Sequence, residues 1–219
     1  MLIISDVLSS EDLARVRETL DAAPFVDGKK TAGAEAKKVK ANRQADATDD
    51  KVKALMKFVR QALERNAVFQ LYARPAKMSP VMFNLYGPGE TYGLHVDETI
   101  MSVGDQRLRS DFSFTLFLSD PTDYDGGELL VVGTEGDRQV KPKAGSMVIY
   151  STGALHKVNP VTRGERRAAV GWVQSLVRRP DEREVLFDLG RIRVGLPEGD
   201  GRLLLDKAIG NLIRIWGEP

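Results

Sequence analysis

The chain of 219 residues has no cysteine and only two histidines. Without cysteine it can form no disulfide framework, no thiolate nucleophile and no zinc finger, and this composition is typical of a reducing compartment. The chain has no large excess of either charge, because it contains 32 lysines and arginines and 31 aspartates and glutamates. That balance gives no electrostatic argument for a nucleic-acid or anionic-membrane partner.

Long hydrophobic runs are also absent, so the sequence contains no candidate transmembrane helix. The N-terminal residues, MLIISD, lack the basic start and apolar stretch of a signal peptide. We therefore expect a soluble, cytoplasmic protein with length enough for one substantial core.

Short segments with period-two alternation and β-branched or aromatic residues fill the middle of the chain. They predict strands over residues 81–86, 112–118, 129–132, 146–150 and 167–176. Tight turns are expected at Asp125-Gly126-Gly127 and at Lys143-Ala144-Gly145. Several short strands joined by turns are typical of a sandwich or barrel, so we expect a mainly β fold of jelly-roll type with flanking helices.

Helical spacing of apolar residues predicts helices on both sides of this β region. They are expected over residues 10–22, from residue 48 or 49 onward, and over residues 181–189 and 202–216. The last two helices would form a small C-terminal helical annex, residues 178–219, beside a main domain over residues 1–177.

A polar and basic stretch, residues 27–44, separates the first two helices. Nothing in it has an apolar pattern that could form a core, so the sequence predicts an unusually long loop. Long ordered loops in compact domains are often lids or binding loops, and a mobile, solvated tether is the alternative.

The two histidines lie at the ends of strand-like segments. His95 and Asp97 are two residues apart, so on an extended strand both side chains leave by the same face. His156 follows several strands later. Two histidines and one carboxylate match the facial triad of non-haem Fe(II), although zinc accepts similar ligands and the triad alone does not choose the metal. A structural role for each histidine is the alternative.

Arg166 stands ten residues after His156, within the alternating stretch from Gly164 to Trp172. Period two places it on one face with Trp172 and places the adjacent Arg167 on the other face. An arginine that points into a barrel needs an anion, because an unpaired buried charge is costly. A dicarboxylate ligand would satisfy its guanidinium by two parallel hydrogen bonds, and a salt bridge to an internal acid, Glu128 or Asp111, is the alternative.

These motifs together resemble the PKHD-type hydroxylases, in the prolyl-4-hydroxylase-like branch of the Fe(II)/2-oxoglutarate-dependent dioxygenases. The resemblance rests on His95-x-Asp97, the distal His156 and Arg166. It extends to residues 25–33, 40–44, 83–86, 112–121, 124–129, 160–166 and 211–216, and so covers essentially the whole chain.

The resemblance implies a double-stranded β-helix that binds Fe(II) through His95, Asp97 and His156. It implies that 2-oxoglutarate chelates the iron and places its distal carboxylate on Arg166, with a hydrogen bond from Tyr86. Tyr92 is expected to line the substrate mouth, with strand packing as the alternative.

By the same resemblance, Asn42 and Gln44 are candidate substrate contacts. The implied reaction consumes dioxygen, hydroxylates a peptidyl substrate (prolyl as one candidate) or a small molecule, and releases succinate and CO2. Ascorbate is a further candidate cofactor. A small iron-chelating compound, linked to iron uptake, is another candidate substrate. Whether the chain forms an oligomer is also open.

Two other functions remain open at this point. A non-catalytic β-barrel could bind metal and a dicarboxylate as a sensor or scaffold. Nucleic-acid dealkylation by a related dioxygenase is disfavoured by the lack of a basic excess. The intact set of three ligand residues favours the enzyme.

Overall fold

The computed structural model describes residues 1–218, except for the side chain of Val103. Its helices are α1 (Ser10–Asp21), α2 (Asp50–Arg65), α3 (Ala67–Ala73), α4 (Pro180–Gly195) and α5 (Asp200–Trp216). Its strands are β1 (Leu2–Ile4), β2 (Phe25–Asp27), β3 (Lys40–Ala41), β4 (Arg43–Ala45), β5 (Pro75–Met78), β6 (Met82–Tyr86), β7 (Thr91–His95), β8 (Ile100–Val103), β9 (Gln106–Arg109), β10 (Phe112–Phe117), β11 (Tyr124–Gly126), β12 (Leu129–Val131), β13 (Arg138–Val140), β14 (Met147–Ser151), β15 (His156–Val158), β16 (Val161–Gly164) and β17 (Arg166–Ser175).

The larger sheet has the order β1-β14-β10-β17-β6-β4-β2, and β5 pairs with β17 beside this path. All six residues of β10 are buried, because both faces of the strand are covered. Phe112, Phe114 and Leu116 join the main hydrophobic core with apolar residues of α1 and α2. Ser113 and Thr115 point the other way and line an internal cavity.

The smaller sheet has the order β13-β12-β15-β7-β3. Its strands β15 and β7 are antiparallel, with His156 directly opposite His95. The cavity, about 720 Å³ in volume, is lined by residues of both sheets. The two sheets form the double-stranded β-helix, or jelly roll, and flanking helices complete the fold class that the sequence predicts.

Local sequence explains where the first two helices begin. Ser9 and Asp12 form a reciprocal capping box at the start of α1, and Asp49 accepts hydrogen bonds from two backbone N–H groups at the start of α2. Both caps satisfy donors that the helix itself leaves unpaired. The short helix α3, capped by Asn66, was not predicted, because seven residues give too little periodicity.

The prediction of a coreless loop over residues 27–44 was wrong. That segment forms two 3-10 turns, Gly28–Thr31 and Ala36–Val39, followed by strands β3 and β4. Its polar side chains are partly buried, since Asn84 Oδ1 accepts hydrogen bonds from Asn42 Nδ2 at 3.2 Å and from Gln44 Nε2 at 2.7 Å. Hydrogen bonding among polar groups can bury a segment that has no apolar pattern.

Of the two C-terminal helices, α4 packs against both α3 and α5. Leu186 of α4 is fully buried, and Arg183 donates hydrogen bonds to the carbonyl oxygens of Val177 and Arg178. Helix α4 runs on to Gly195, beyond the predicted end near residue 189. Within residues 1–218, no helix has both the length and the apolar character needed to cross a bilayer.

Candidate metal centre and cosubstrate cavity

Three potential metal ligands meet where β7 and β15 come together. His95 ends β7, His156 begins β15 opposite it, and Asp97 lies just beyond the end of β7 rather than inside a strand. His95 Nε2 lies 3.6 Å from Asp97 Oδ1, and His156 Nε2 lies 3.5 Å from Asp97 Oδ2. The ligand atoms of all three residues lie within 4.8 Å of one another, a spacing that a single metal ion can bridge.

Backbone carbonyl groups fix the orientation of both imidazole rings. His95 Nδ1 is 2.7 Å from Gly93 O, and His156 Nδ1 is 3.0 Å from Ala154 O. Because a carbonyl oxygen only accepts, Nδ1 carries the proton and Nε2 presents a lone pair. His95 Nε2 is buried and has no hydrogen-bond partner among the described residues, which fits an atom that binds a metal.

Asp97 is held as an ionised carboxylate. Its Oδ2 accepts hydrogen bonds from Ser113 Oγ at 2.7 Å and from Trp172 Nε1 at 2.8 Å. Burial would raise the pKa of Asp97, but the adjacent imidazole rings of His95 and His156 and the hydrogen bonds from Trp172 and Ser113 outweigh it and lower the pKa to about 2. The group is therefore ready to bind a cation at neutral pH.

Burial also lowers the pKa of His156, against an opposing effect from the nearby Asp97. A lowered pKa favours the neutral imidazole, which is the form that binds metals. The geometry and the charge states agree on a site for one divalent cation. They suit Fe(II) with open positions, and the oxygen and nitrogen donors alone do not exclude zinc.

Ser113 and Trp172 were not predicted as site residues. Their hydrogen bonds to Asp97 orient a ligand carboxylate, which is a common feature of metal sites. A signal was present for Ser113, because Ser113 and Thr115 interrupt an otherwise apolar strand at alternate positions. This signal could be interpreted only once the fold had brought Ser113 of β10 next to Asp97.

Arg166 begins β17 and points into the cavity, with only 1% of the residue exposed. Its guanidinium carbon lies 5.3 Å from the ring centre of Tyr86 and 5.1 Å from that of Phe117. Its Nε and Nη2 atoms are buried and have no hydrogen-bond partner among residues 1–218. Two N–H donors of a buried cation are thus available to a ligand in this cavity.

The internal acids considered as partners for Arg166 are engaged elsewhere. Asp111 pairs with Arg109 at 3.0 Å, and Glu128 accepts a hydrogen bond from Asn159 at 3.1 Å. The neighbouring Arg167 points to the opposite face, where it forms ion pairs with Asp21 and Glu165. The side chains of Arg166 and Arg167 therefore face different environments, as period two requires.

Two buried tyrosines accompany Arg166. Burial raises the pKa of Tyr86 to about 12, with the charge of Arg166 acting in the opposite direction. Burial likewise raises the pKa of Tyr124, whose hydroxyl has no hydrogen-bond partner in the described part of the chain. Both hydroxyls stay protonated at neutral pH and can donate hydrogen bonds. Tyr124 was missed because its strand, β11, is only three residues long.

The remaining predicted site residues differ in position. Tyr92 lines the cavity, and its ring stacks on the His95 ring at 3.6 Å between centres and 16° between planes. Gln44 also lines the cavity. Asn42 lies behind that wall, where it donates to Asn84 and where its Oδ1 would meet any Cβ added at Gly28.

Comparisons with known proteins agree with this geometry. A family model described as the 2OG-Fe(II) oxygenase superfamily matches residues 81–174. A PKHD-type hydroxylase of Maricaulis maris (strain MCS10) is 46% identical over 223 residues, which cover 100% of both chains.

Two solved structures share the fold. The first is a prolyl hydroxylase from Trichoplax adhaerens, in complex with a peptide fragment of the hypoxia inducible factor oxygen degradation domain. It has a TM-score of 0.57 and 16% identity, and the match covers 84% of this chain and 86% of that one. The second is HygX from Streptomyces hygroscopicus with nickel, 2-oxoglutarate and hygromycin B bound. It has a TM-score of 0.51 and 14% identity, covering 80% of this chain and 83% of that one.

Proposed function

This chain belongs to the PKHD-type hydroxylases of the 2OG-Fe(II) oxygenase superfamily, and we propose which of its residues carry that activity. As a member it is a hydroxylase that depends on Fe(II), 2-oxoglutarate and dioxygen. Its iron is held by His95, Asp97 and His156. The observation that supports this assignment is the convergence of their ligand atoms within 4.8 Å, with both imidazole Nε2 atoms turned inward.

Arg166 binds the distal carboxylate of 2-oxoglutarate, and Tyr86 adds a hydrogen bond to the same group. The two buried donors without partners on Arg166 support this role. When bound, Fe(II) and 2-oxoglutarate supply the oxidising chemistry, with release of succinate and CO2. The chain contributes orientation and charge, because hydrogen bonds from Trp172 and Ser113 hold the Asp97 carboxylate.

An anaerobic titration tests these assignments. Fe(II) and 2-oxoglutarate together should give the weak visible charge-transfer band of the chelate in the wild type. His156→Ala should lose the band, and Arg166→Ala should need far more 2-oxoglutarate to reach it. Arg167→Ala, which removes an arginine from the opposite face, is the matched control and should behave as the wild type. No band at saturating concentrations in the wild type would refute the proposal.

The substrate is proposed at the level of class. Peptidyl substrates, prolyl included, are favoured by the peptide complex of the Trichoplax adhaerens protein, and small molecules by the hygromycin B complex of HygX. A small iron-chelating compound, with a role in iron uptake, is one such small molecule. Succinate release, measured with each class of compound, tests the alternatives.

We also propose that residues 27–44 act as a lid on a dioxygenase domain formed by residues 1–177. Five consecutive residues from Ala32 to Ala36 line the cavity, which supports a closing role. The annex proposed for residues 178–219 contains helices α4 and α5. Limited proteolysis tests the lid, because cleavage within residues 32–36 should slow when metal and 2-oxoglutarate are added. Equal cleavage with and without them would contradict it.

Several expectations from the sequence stay predictions. They are a cytoplasmic location, a requirement for ascorbate, an oligomeric state, and the lack of nucleic-acid and membrane partners. Ascorbate is tested by counting turnovers with and without it. Cell fractionation tests the location, and sedimentation tests the oligomeric state.

A further inference from the structure

Lys40 places a second cation in the cavity. It lies in β3 opposite Tyr92, is 4% exposed, and lines the cavity that contains the metal ligands. Its ammonium nitrogen lies 5.0 Å from the centre of the Tyr92 ring. Neither the metal ligands nor the proposed binding of 2-oxoglutarate requires a lysine at this position.

The ammonium group of Lys40 has no carboxylate partner within 4.0 Å among the described residues. Its one hydrogen bond there is donated to Thr31 Oγ1 at 3.3 Å. Three acids could compensate its charge. Asp97 is a metal ligand, Asp27 is exposed, and Glu98 is exposed at the rim of the cavity.

The formal charges in the cavity indicate that Lys40 needs an anionic partner. One Fe(II), Asp97 and a bound 2-oxoglutarate together carry one negative charge, which Arg166 neutralises. Lys40 then leaves one positive charge inside the cavity. A buried charge is costly unless it is paired, so a second anion is expected there.

Lys40 also begins a chain of hydrogen bonds along one cavity wall. Thr31 Oγ1 donates to Gln44 Oε1 at 2.7 Å, and Gln44 Nε2 donates to Asn84 Oδ1 at 2.7 Å. All four side chains line the cavity. Since Asn84 uses its oxygen in these bonds, its amide N–H groups remain as donors on the same wall.

We propose that Lys40 binds a carboxylate of the primary substrate and that Gln44 and Asn84 contact polar groups next to it. The substrate is then a carboxylic acid, as a small molecule or as the free C-terminus of a peptide. This proposal rests on the proposed function and specifies its substrate class. It assigns separate cations to the two organic ligands, Arg166 to 2-oxoglutarate and Lys40 to the compound that is hydroxylated.

Binding measurements on pairs of carboxylic acids and their amides test the proposal without requiring catalysis. The protein is loaded with Zn(II) and one equivalent of 2-oxoglutarate, and binding is measured by saturation-transfer NMR. The probes are N-acetyl amino acids and acetylated tripeptides, each compared with its C-terminal amide. One or more acids should bind about tenfold more tightly than their amides, as expected for one charge-assisted hydrogen bond. Single amino acids and tripeptides distinguish the two sources of carboxylate.

Variants of Lys40 test whether this residue causes the preference for acids over amides. Lys40→Met should bring acids and amides within about twofold of each other, whereas Lys40→Arg should keep the preference. Lys37→Met, at an exposed lysine of the neighbouring turn, is the matched control and should keep it too. The proposal is overturned if no acid binds better than its amide in the wild type, or if Lys40→Met leaves the preference unchanged.

The charge-transfer band of the Fe(II) and 2-oxoglutarate chelate distinguishes a failure of the substrate proposal from a failure of the proposed function. A band of normal affinity in both wild type and Lys40→Met, without an acid preference, would overturn only the substrate proposal. Absence of the band from the wild type would refute the function on which it rests. If Lys40→Met fails to fold, the comparison of acids with amides in the wild type and Lys40→Arg decides.

Discussion

Replacing Arg166 by methionine should weaken 2-oxoglutarate binding without destabilising the free protein. Two donors of the guanidinium, Nε and Nη2, are buried and unpaired among the described residues. Each hydrogen bond to a charged group contributes about 1.5–3 kcal/mol, so the loss of two, about 3–6 kcal/mol together, should raise the Kd for 2-oxoglutarate by about 10²- to 10⁴-fold. The stability of the free protein should be unchanged or higher, because the variant removes a buried charge that has no partner.

Urea unfolding with Zn(II) present measures both effects. At 2-oxoglutarate concentrations of about 100 times its wild-type Kd, the wild type should gain about 2.7 kcal/mol, whereas a variant that binds 100-fold more weakly gains only about 0.4 kcal/mol. Arg167→Met is the matched control. It breaks ion pairs to Asp21 and Glu165 on the outer face, and should lose about 1 kcal/mol while keeping the full gain from ligand.

The opposite result would be that Arg166→Met loses more than about 2 kcal/mol of stability without ligand and keeps the full gain in stability with 2-oxoglutarate. Such a result would mean that Arg166 has a structural partner and that 2-oxoglutarate binds elsewhere. A loss of ligand binding in Arg167→Met instead would mean that the strand register argued from period two is off by one residue.

Three further predictions concern the metal ligands and their surroundings. Trp172→Phe removes a hydrogen bond of 2.8 Å to Asp97 and should weaken Co(II) binding by about 10- to 100-fold in a spectroscopic titration; unchanged affinity would contradict the role of that bond. Gly127→Ala places a Cβ on a residue with a φ of +66° and 3.1 Å from Arg166 Cδ. The variant should lose about 1–3 kcal/mol of stability in urea unfolding and should bind 2-oxoglutarate more weakly. A variant as stable as the wild type would contradict this prediction. The pKa of Asp97 is lowered to about 2 in the folded metal-free protein. At pH values above the pKa of the unfolded state, the ionised carboxylate therefore contributes about 2 kcal/mol to the free energy of unfolding, and this contribution is lost as the pH falls from about 4 to 2. Asp97→Asn should therefore flatten the acid limb of the stability curve, and an acid limb identical to that of the wild type would refute the assignment.

The three residues of the candidate metal centre could be selected from sequence because the chemistry left few choices. Only two histidines are present, and Asp97 follows one of them at strand spacing. Alternation along a single strand also separated Arg166 from Arg167. Helix boundaries near residues 10 and 50 followed from their capping residues, since caps act within three or four positions of the chain.

Elements that depend on distant partners could not be predicted in this way. The local hairpin of β8 and β9, which pairs only with itself in the described structure, was missed for another reason, because its sequence alternates weakly. The role of Ser113 depends on Asp97, which is sixteen positions earlier in the chain and meets it only in the folded protein. Strand β3 has only two residues, and its identity as a strand comes from pairing with β7.

Arg166 and Lys40 show most clearly where sequence reasoning reaches its limit. Both are buried cations in one cavity, yet only Arg166 stands in a long alternating strand that predicts an inward side chain. Lys40 belongs to a stretch rich in lysine, where composition predicts solvent exposure. It is buried because β3 pairs with β7 and because Thr31 accepts its hydrogen bond. A basic segment can therefore contain one lysine whose environment is unlike that of its neighbours. If Lys40 selects a carboxylate as proposed, the specificity of this hydroxylase is encoded in the segment whose composition indicates it least.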